Sequence, residues 1–310
     1  MKKVSILSIG AYAPEKILSN ADLEKMVDTT DQWIFDRTGI RERRIASDEM
    51  DTSEMAYLAA KDCMDRKPVH PDMVISSTCT PERNCPNQAS IVSRKLGLKD
   101  LFAFDINVAC SGFIFAMATA KSLLETMDKK YALITAGEKM STVIDYKDRA
   151  SCILFGDGAS SVLLGADDPD GHEILSVELG SDPSGADSVT IGGKAGYFKQ
   201  DGRSVYKFAV TTLRNMIELM KKRTGITDNN GFWVIPHQAN ARMMETVAHD
   251  MGIAPEKFIL NIDKYGNTSS ASIGLAWKDV WDTNRFKKGD IIFLIGFGGG
   301  LSWGAMAVKW

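Results

Sequence analysis

Cys110, His237 and Asn267 are the residues of this chain whose types and settings could do chemistry together. Cys110 lies in Ala109-Cys110-Ser111-Gly112-Phe113, after the apolar run 101–106 and before an alanine-rich segment that continues to about Glu125. The run reads as a buried strand, and the segment, apolar nearly all round, as a buried helix. A thiol where that helix begins faces unpaired backbone N–H groups and the positive end of the helix dipole, which favour a thiolate nucleophile. Taken alone, a buried cysteine is as readily a small hydrophobe. His237, one of four histidines, stands in Pro236-His237-Gln238-Ala239-Asn240 after a strand end, and Asn267 follows Gly266 in a polar turn. Singly, the histidine has an ordinary structural use and the asparagine an ordinary turn use. Their shared placement on matching loops sets them apart.

The elements that position these loops repeat. Strands are expected over Val4–Ile9, Met73–Ser77, 101–106, Tyr131–Thr135 and a glycine-joined pair, Cys152–Phe155 and Ala159–Leu164. Between them lie helices through Met26, around Trp33, over Thr52–Cys63 and over Asn87–Leu96, with Asn20, Asp22, Thr30 and Asp31 as capping residues. The polar turn Asp167–Gly171 divides the chain into halves 1–168 and 169–310. Residues 181–203 read as a long surface loop of the kind that forms lids. Past it come a helix from Ser204, strand Phe232–Ile235 with the His237 loop, helix Ala241–Met251 and strand Phe258–Ile262. The Asn267 turn, helix Ala271–Trp281 and a second glycine-joined pair, Ile291–Ile295 and Leu301–Lys309, complete the half. Two halves with one order of parts suggest a duplicated α/β protein. If a pseudo-twofold axis relates them, the His237 and Asn267 loops face Cys110.

The composition narrows the class. Of 310 residues, 44% are hydrophobic and 25% charged, as in globular proteins, and the net charge of -3 gives no sign of a nucleic-acid binder. No apolar run reaches membrane-spanning length. The first residues are too short a run for a signal peptide. Five cysteines without a CxxC pair oppose a disulfide framework and a structural zinc site, so reduced thiols, a cytoplasmic location and no bound metal are expected. Gly298-Gly299-Gly300 fails as a dinucleotide fingerprint because no helix follows.

The sequence resembles the β-ketoacyl-(acyl carrier protein) synthase III family. The resemblance rests on Ala109–Phe113, Pro236–Asn240, Tyr265-Gly266-Asn267-Thr268-Ser269 and Phe297-Gly298-Gly299-Gly300-Leu301-Ser302-Trp303-Gly304. Asp31-Gln32-Trp33, Arg37-Thr38-Gly39-Ile40 and Phe155-Gly156-Asp157-Gly158 extend it over the whole chain. It implies a thiolase-like fold of five αβαβα layers, a homodimer, and Claisen condensation of an acyl-CoA primer with malonyl-acyl carrier protein, initiating fatty acid synthesis without a cofactor. Cys110 would be acylated, with the Cys110 and Gly299 N–H groups as oxyanion donors. His237 and Asn267 would stabilise the enolate left by decarboxylation. The resemblance also puts Thr29, Trp33, Arg37, Arg149 and Asn240 along CoA, with the adenine between Trp33 and Arg149, and Arg242 and Lys207 against the carrier protein.

Two positions depart from the family pattern. Cys85 stands where many relatives carry a phenylalanine that reaches the partner subunit's acyl pocket, so primers longer than acetyl are expected. His249-Asp250 follows Arg242 where relatives are often basic. Among rival activities, a papain-like hydrolase shares the order Cys…His…Asn but lacks the CGSCW-type sequence. A thiolase needs a second cysteine in the C-terminal glycine loop, elongating synthases use a second histidine where Asn267 stands, and the intact trio opposes a non-catalytic carrier-binding protein. A related acyltransferase or a condensing enzyme of a specialised pathway would use the same acyl-cysteine.

Overall fold

The computed structural model describes residues 2–192 and 196–310. The first half runs β1 (Val4–Tyr12), β2 (Ile17–Ser19), α1 (Asn20–Leu23), α2 (Asp31–Thr38), β3 (Glu42–Arg44), α3 (Thr52–Arg66), β4 (Met73–Ser77), α4 (Gln88–Lys95), β5 (Phe102–Ile106), α5 (Gly112–Thr126), β6 (Tyr131–Glu138), α6 (Arg149–Cys152) and β7 (Gly158–Ala166). The second runs β8 (His172–Ser181), β9 (Val189–Thr190), β10 (Lys199–Gln200), α7 (Gly202–Thr224), β11 (Trp233–Pro236), α8 (Ala241–Met251), α9 (Ile262–Tyr265), α10 (Ser272–Trp281), β12 (Ile291–Gly298) and β13 (Ser302–Lys309).

The main sheet has the order β11-β12-β13-β8-β1-β7-β6-β4-β5. Within it β5-β4-β6-β7-β1 is echoed by β11-β12-β13-β8, and Phe258 bridges in parallel onto Val234 of β11, where β5 lies on β4. Among the described residues the two sets join in the sheet where β1 meets β8, through Ser5 opposite Glu173 and Ile6 opposite His172. Packing follows the same doubling. Phe113, Ile114, Met117 and Ala120 of α5 and Ile273, Leu275 and Trp277 of α10 share one buried cluster with strands of both sets. Ala56, Ala60, Ala89 and Val92 of α3 and α4 cover the outer face of one set. Leu213, Ile217, Met244 and Val247 of α7 and α8 cover the other. The all-round apolar character of α5 is thus explained by a helix with sheet on both sides.

Four expectations change. The helix expected through Met26 ends at Leu23 and is capped by Ser19, with Asp22 bonding back to the Ser19 N–H instead of capping and Asn20 inside the helix. The strand over 258–262 shrinks to the single bridge at Phe258, because polar Asn261 turns the chain into α9. The strand over 152–155 gives way to helix α6, whose start is fixed by Asp148 Oδ1 accepting the Ala150 N–H at 3.0 Å. The loop over 181–203 contains a 3-10 turn at Pro183–Ser188 and the ribbon β9–β10; residues 193–195 of it lie outside the described residues.

Candidate active site

The site lies beyond the carboxyl ends of β5, β11 and β12, where loops of a parallel sheet converge. Cys110 occupies a single 3-10 turn, Ala109–Ser111, leading into α5. Its entry is sharp. Ala109 sits at φ +43, with its N–H donating to Asn107 Oδ1 at 3.3 Å. The second half repeats this turn: Ser269 sits at φ +51, its N–H donates to Asn267 Oδ1 at 2.8 Å, and a 3-10 turn leads into α10. Left-handed backbone at a residue with a Cβ costs roughly 1–2 kcal/mol. It persists where packing holds it. Gly112 begins α5 because a Cβ there would lie 2.0 Å from Ser77 Oγ.

A cavity of about 240 Å³ is lined by Cys110, His237, Asn267, Phe297, Gly298 and Gly299. The imidazole and the carboxamide on it are each tied by the far atom. His237, 2% exposed, has Nδ1 2.7 Å from Ser272 Oγ, and that hydroxyl oxygen also accepts the Gln238 N–H at 3.2 Å. The Phe297 ring packs across the imidazole at 5.4 Å and 74°. Asn267, with its Oδ1 engaged by Ser269, keeps its amide N–H groups for the cavity. Gly298 approaches so closely that a Cβ on it would fall 2.8 Å from Cys110 Cβ and 3.0 Å from Cys110 N. Among the described residues, the Cys110 and Gly299 N–H groups find no backbone acceptor.

The electrostatics change one expectation. Burial pushes the Cys110 thiol up to about 12, aided by the negative charge of Glu138 and opposed by the Ser269 hydroxyl and the Cys110 N–H. At this half-buried side chain the shift runs toward the thiol, against the thiolate that a helix start favours, because loss of hydration outweighs the dipole. Burial likewise lowers His237 to about 3, against the Ser269 carbonyl, so the imidazole is neutral.

The outer residues fall into two groups. Arg37, Asn240 and Thr38 line the cavity mouth. The Arg149 guanidinium lies 4.8 Å from the Trp33 ring centre and donates to the Asp28 carbonyl at 2.9 Å, so the two planes meet each other. Thr29 Oγ1 is buried without a partner nearby among the described residues. Asn240 uses its whole amide, donating to the Arg37 carbonyl and capping α8 at Arg242. Arg242 donates to the carbonyls of Phe35 and Asp36 and grips Glu245 with two bonds of 2.8 and 2.7 Å, which pins α2 against α8. Lys207 and Cys85 are exposed. Sequence reasoning overlooked Glu138, Ser269 and Ser272; aligning Asn107-Val108-Ala109 with Asn267-Thr268-Ser269 would have singled out Ser269. Among the described residues no group of three or more His, Cys, Asp or Glu side chains is placed to hold a metal.

A doubled sheet enclosing two central helices, with a cysteine at the start of one facing loops from the other half, defines a thiolase-like condensing fold. The profile of 3-oxoacyl-[acyl-carrier-protein (ACP)] synthase III matches residues 104–183, and that of its C-terminal part matches residues 220–310. β-Ketoacyl-[acyl-carrier-protein] synthase III of Geobacillus kaustophilus is 41% identical, with 98% of each chain covered. The crystal structure of 3-oxoacyl-[acyl-carrier-protein] synthase III from Aquifex aeolicus superposes with a TM-score of 0.94 at 38% identity, covering 99% of this chain and 100% of that one. The priming β-ketosynthase of the R1128 polyketide pathway follows at 0.92 and 30% identity, covering 99% of this chain and 96% of that one. The chain belongs to the β-ketoacyl-(acyl carrier protein) synthase III family.

Proposed function

We propose that this protein condenses an acyl-CoA primer with malonyl-acyl carrier protein through an acyl-Cys110 intermediate, the first elongation of fatty acid synthesis. The reading is carried by one observation: Cys110, His237 and Asn267 share a cavity, with the imidazole and carboxamide each fixed from behind. Cys110 attacks the primer thioester, its S–C bond forms, and CoA leaves as the C–S bond breaks. The Cys110 and Gly299 N–H groups hold the oxyanion. Malonyl thioester then loses CO2, and negative charge develops on its thioester oxygen. Asn267 Nδ2–H donates to that oxygen, joined by His237 Nε2–H in the tautomer whose Nδ1 accepts a hydrogen bond from the Ser272 hydroxyl. A neutral imidazole and an amide stabilise this charge without removing a proton. The carbon nucleophile then attacks acyl-Cys110, the C–S bond breaks with its electron pair on sulfur, and the Cys110 thiolate takes up a proton to restore the thiol.

The same reading assigns the surroundings. Trp33 and Arg149 part to admit the CoA adenine, with Thr29 and Arg37 beside the nucleotide and Asn240 beside the pantetheine arm. Lys207 and Arg242 face the acidic carrier protein, with Arg242 reduced in share because Glu245 neutralises it. The chain works as a homodimer through β5, whose residues are all half-buried and whose outer edge lacks a strand among the described residues. Cys85 lies on the adjoining turn, where Asn87 bonds the Ala103 carbonyl, and serves the partner's acyl pocket with room for longer primers. The halves 1–168 and 169–310 act as one unit in the cytoplasm, with no cofactor, metal, membrane or nucleic acid required. The likeness to the R1128 priming β-ketosynthase supports a second reading, priming of a specialised pathway by the same acyl-Cys110.

The test is to incubate the protein with acetyl- to decanoyl-CoA, locate acyl groups by mass spectrometry, then add malonyl-acyl carrier protein and follow CO2. Cys110→Ala loses both steps. His237→Ala still acylates but loses decarboxylation by about 10²-fold or more, the worth of one such donor. Condensation at the normal rate in the His237 variant would overturn its role. Strict use of acetyl-CoA would overturn the role given to Cys85.

A further inference from the structure

A carboxylate that this reaction leaves idle stands behind the nucleophile. Glu138, the last residue of β6, is fully enclosed. Its Oε2 accepts the Thr80 hydroxyl at 2.7 Å, the Cys79 N–H at 3.0 Å, the Thr78 hydroxyl at 3.3 Å and the Cys79 thiol at 3.4 Å. Its Oε1 accepts the Ser270 hydroxyl at 2.6 Å and the Ser269 hydroxyl at 3.3 Å. Every partner is a donor, so the cage suits the ionised carboxylate. Yet among the described residues no cation is paired with it, and burial raises it, so a proton is readily accepted. The titratable groups that face it are two thiols, Cys79 after β4 and Cys110 before α5. The adjacent Lys139 turns its ammonium to the carbonyls of Ser47, Asp48 and Met50.

Ser269 connects this carboxylate to the sulfur. Its Oγ lies 3.5 Å from Cys110 Sγ and 3.3 Å from Glu138 Oε1. The left-handed turn fixed by Asn267 aims the hydroxyl into that gap. With the hydroxyl proton directed at Oε1, the oxygen lone pairs face the Cys110 thiol.

We propose that Ser269 and Glu138 form a proton relay that takes the Cys110 proton during acylation and holds it until condensation is complete. The inference rests on the acyl-Cys110 reaction proposed above. As Cys110 Sγ bonds to the primer carbonyl carbon, its proton passes to Ser269 Oγ while the Ser269 proton passes to Glu138 Oε1. The C–S bond to CoA breaks, and the CoA thiolate takes a proton from solvent. When the carbon nucleophile later expels Cys110 as thiolate, the relay runs backwards: Glu138 returns the proton through Ser269 and restores both thiol and carboxylate. One solvent proton is consumed per turnover, which matches the proton needed when malonate loses CO2. The arrangement gives the proton of a half-buried thiol somewhere to go as the sulfur attacks. Ser269, which touches the reacting sulfur, is catalytic; Glu138 acts through it.

The experiment is single-turnover acylation by acetyl-CoA, read by rapid quench and intact mass, from pH 5.5 to 9.5. Wild type is compared with Glu138→Gln, Ser269→Ala and the double variant. The relay predicts that each single variant is about 10²-fold slower at pH 7, the low end of what a positioned proton acceptor contributes. Each rate then climbs about tenfold per pH unit, as hydroxide replaces the acceptor, and converges on wild type at high pH. The double variant is no slower than the single ones, since both break one path. A uniform loss at every pH, or profiles parallel to wild type, overturns the relay and leaves Glu138 a structural role. Should Glu138→Gln fail to fold, Ser269→Ala decides alone, because removing one hydroxyl leaves the carboxylate five other donors' contacts. Wild type that never acylates at Cys110 refutes the underlying reaction, a result distinct from variants that match wild type.

Discussion

Gly298→Ala tests how closely the C-terminal glycine loop must approach the nucleophile. The added Cβ would lie 2.8 Å from Cys110 Cβ, 3.0 Å from Cys110 N and 3.3 Å from Cys110 Sγ. Ordinary carbon contacts are about 3.5–4.0 Å, so loop and nucleophile must separate by about 1 Å. Neither side yields easily. Gly298 is registered against Ser302 in the β12–β13 hairpin, and the neighbouring Gly296 already lies against the Ser111 backbone. Overpacking of this kind costs about 1–3 kcal/mol of stability. A 1 Å displacement at the reacting centre costs about 10²-fold in rate. The assay is single-turnover acylation of Cys110 by acetyl-CoA, beside thermal unfolding. Gly299→Ala is the comparison, because the nearest atoms to its Cβ would be two of the Val189 side chain at 3.3 Å and 3.4 Å and Ala109 Cβ at 3.5 Å, and it should lose less than about tenfold. Acylation of Gly298→Ala at the wild-type rate, with unchanged stability, would refute the argument that this glycine is needed for close approach.

Other outcomes follow from the same geometry. Because folding lowers His237 from 6.5 to about 3, the unfolded chain binds the extra proton first. Its contribution is complete above pH 6.5 and lost as pH falls from there towards 3, at about 1.4 kcal/mol per unit. His237→Gln should flatten this part of a denaturation series, and an unchanged slope counts against a buried neutral imidazole. Ser272→Ala leaves the buried Gln238 N–H without its acceptor, at a cost of about 1–3 kcal/mol, and should slow malonyl decarboxylation more than acylation; equal slowing of both steps contradicts an orienting role. An adenine between Trp33 and Arg149 needs about 7 Å, two contacts of about 3.5 Å, against the 4.8 Å now separating guanidinium and ring. Arg149→Ala should raise KM for acetyl-CoA about 2–30-fold, from roughly 0.5–2 kcal/mol of cation–π contact, and leave a pantetheine thioester without nucleotide unaffected. Equal loss with both substrates argues against stacking.

The class of fold, the order of parts repeated in each half and the grouping of three polar loops were legible in the residues alone. These are local matters: an all-round apolar helix after an apolar run needs only its own residues to announce a buried centre, and Thr30 or Asn87 caps its helix through contacts three residues away. Tertiary structure decided what happens at the sulfur. The dipole of α5 argues for a thiolate, but partial enclosure by Phe297, the glycine loop and the opposite half reduces hydration and raises the thiol to about 12. Glu138 and Ser269 are separated by 131 positions and Cys110 and Ser269 by 159, so no local pattern joins them. The free energy of a charge depends on everything within a few ångströms, and only the folded chain supplies those neighbours.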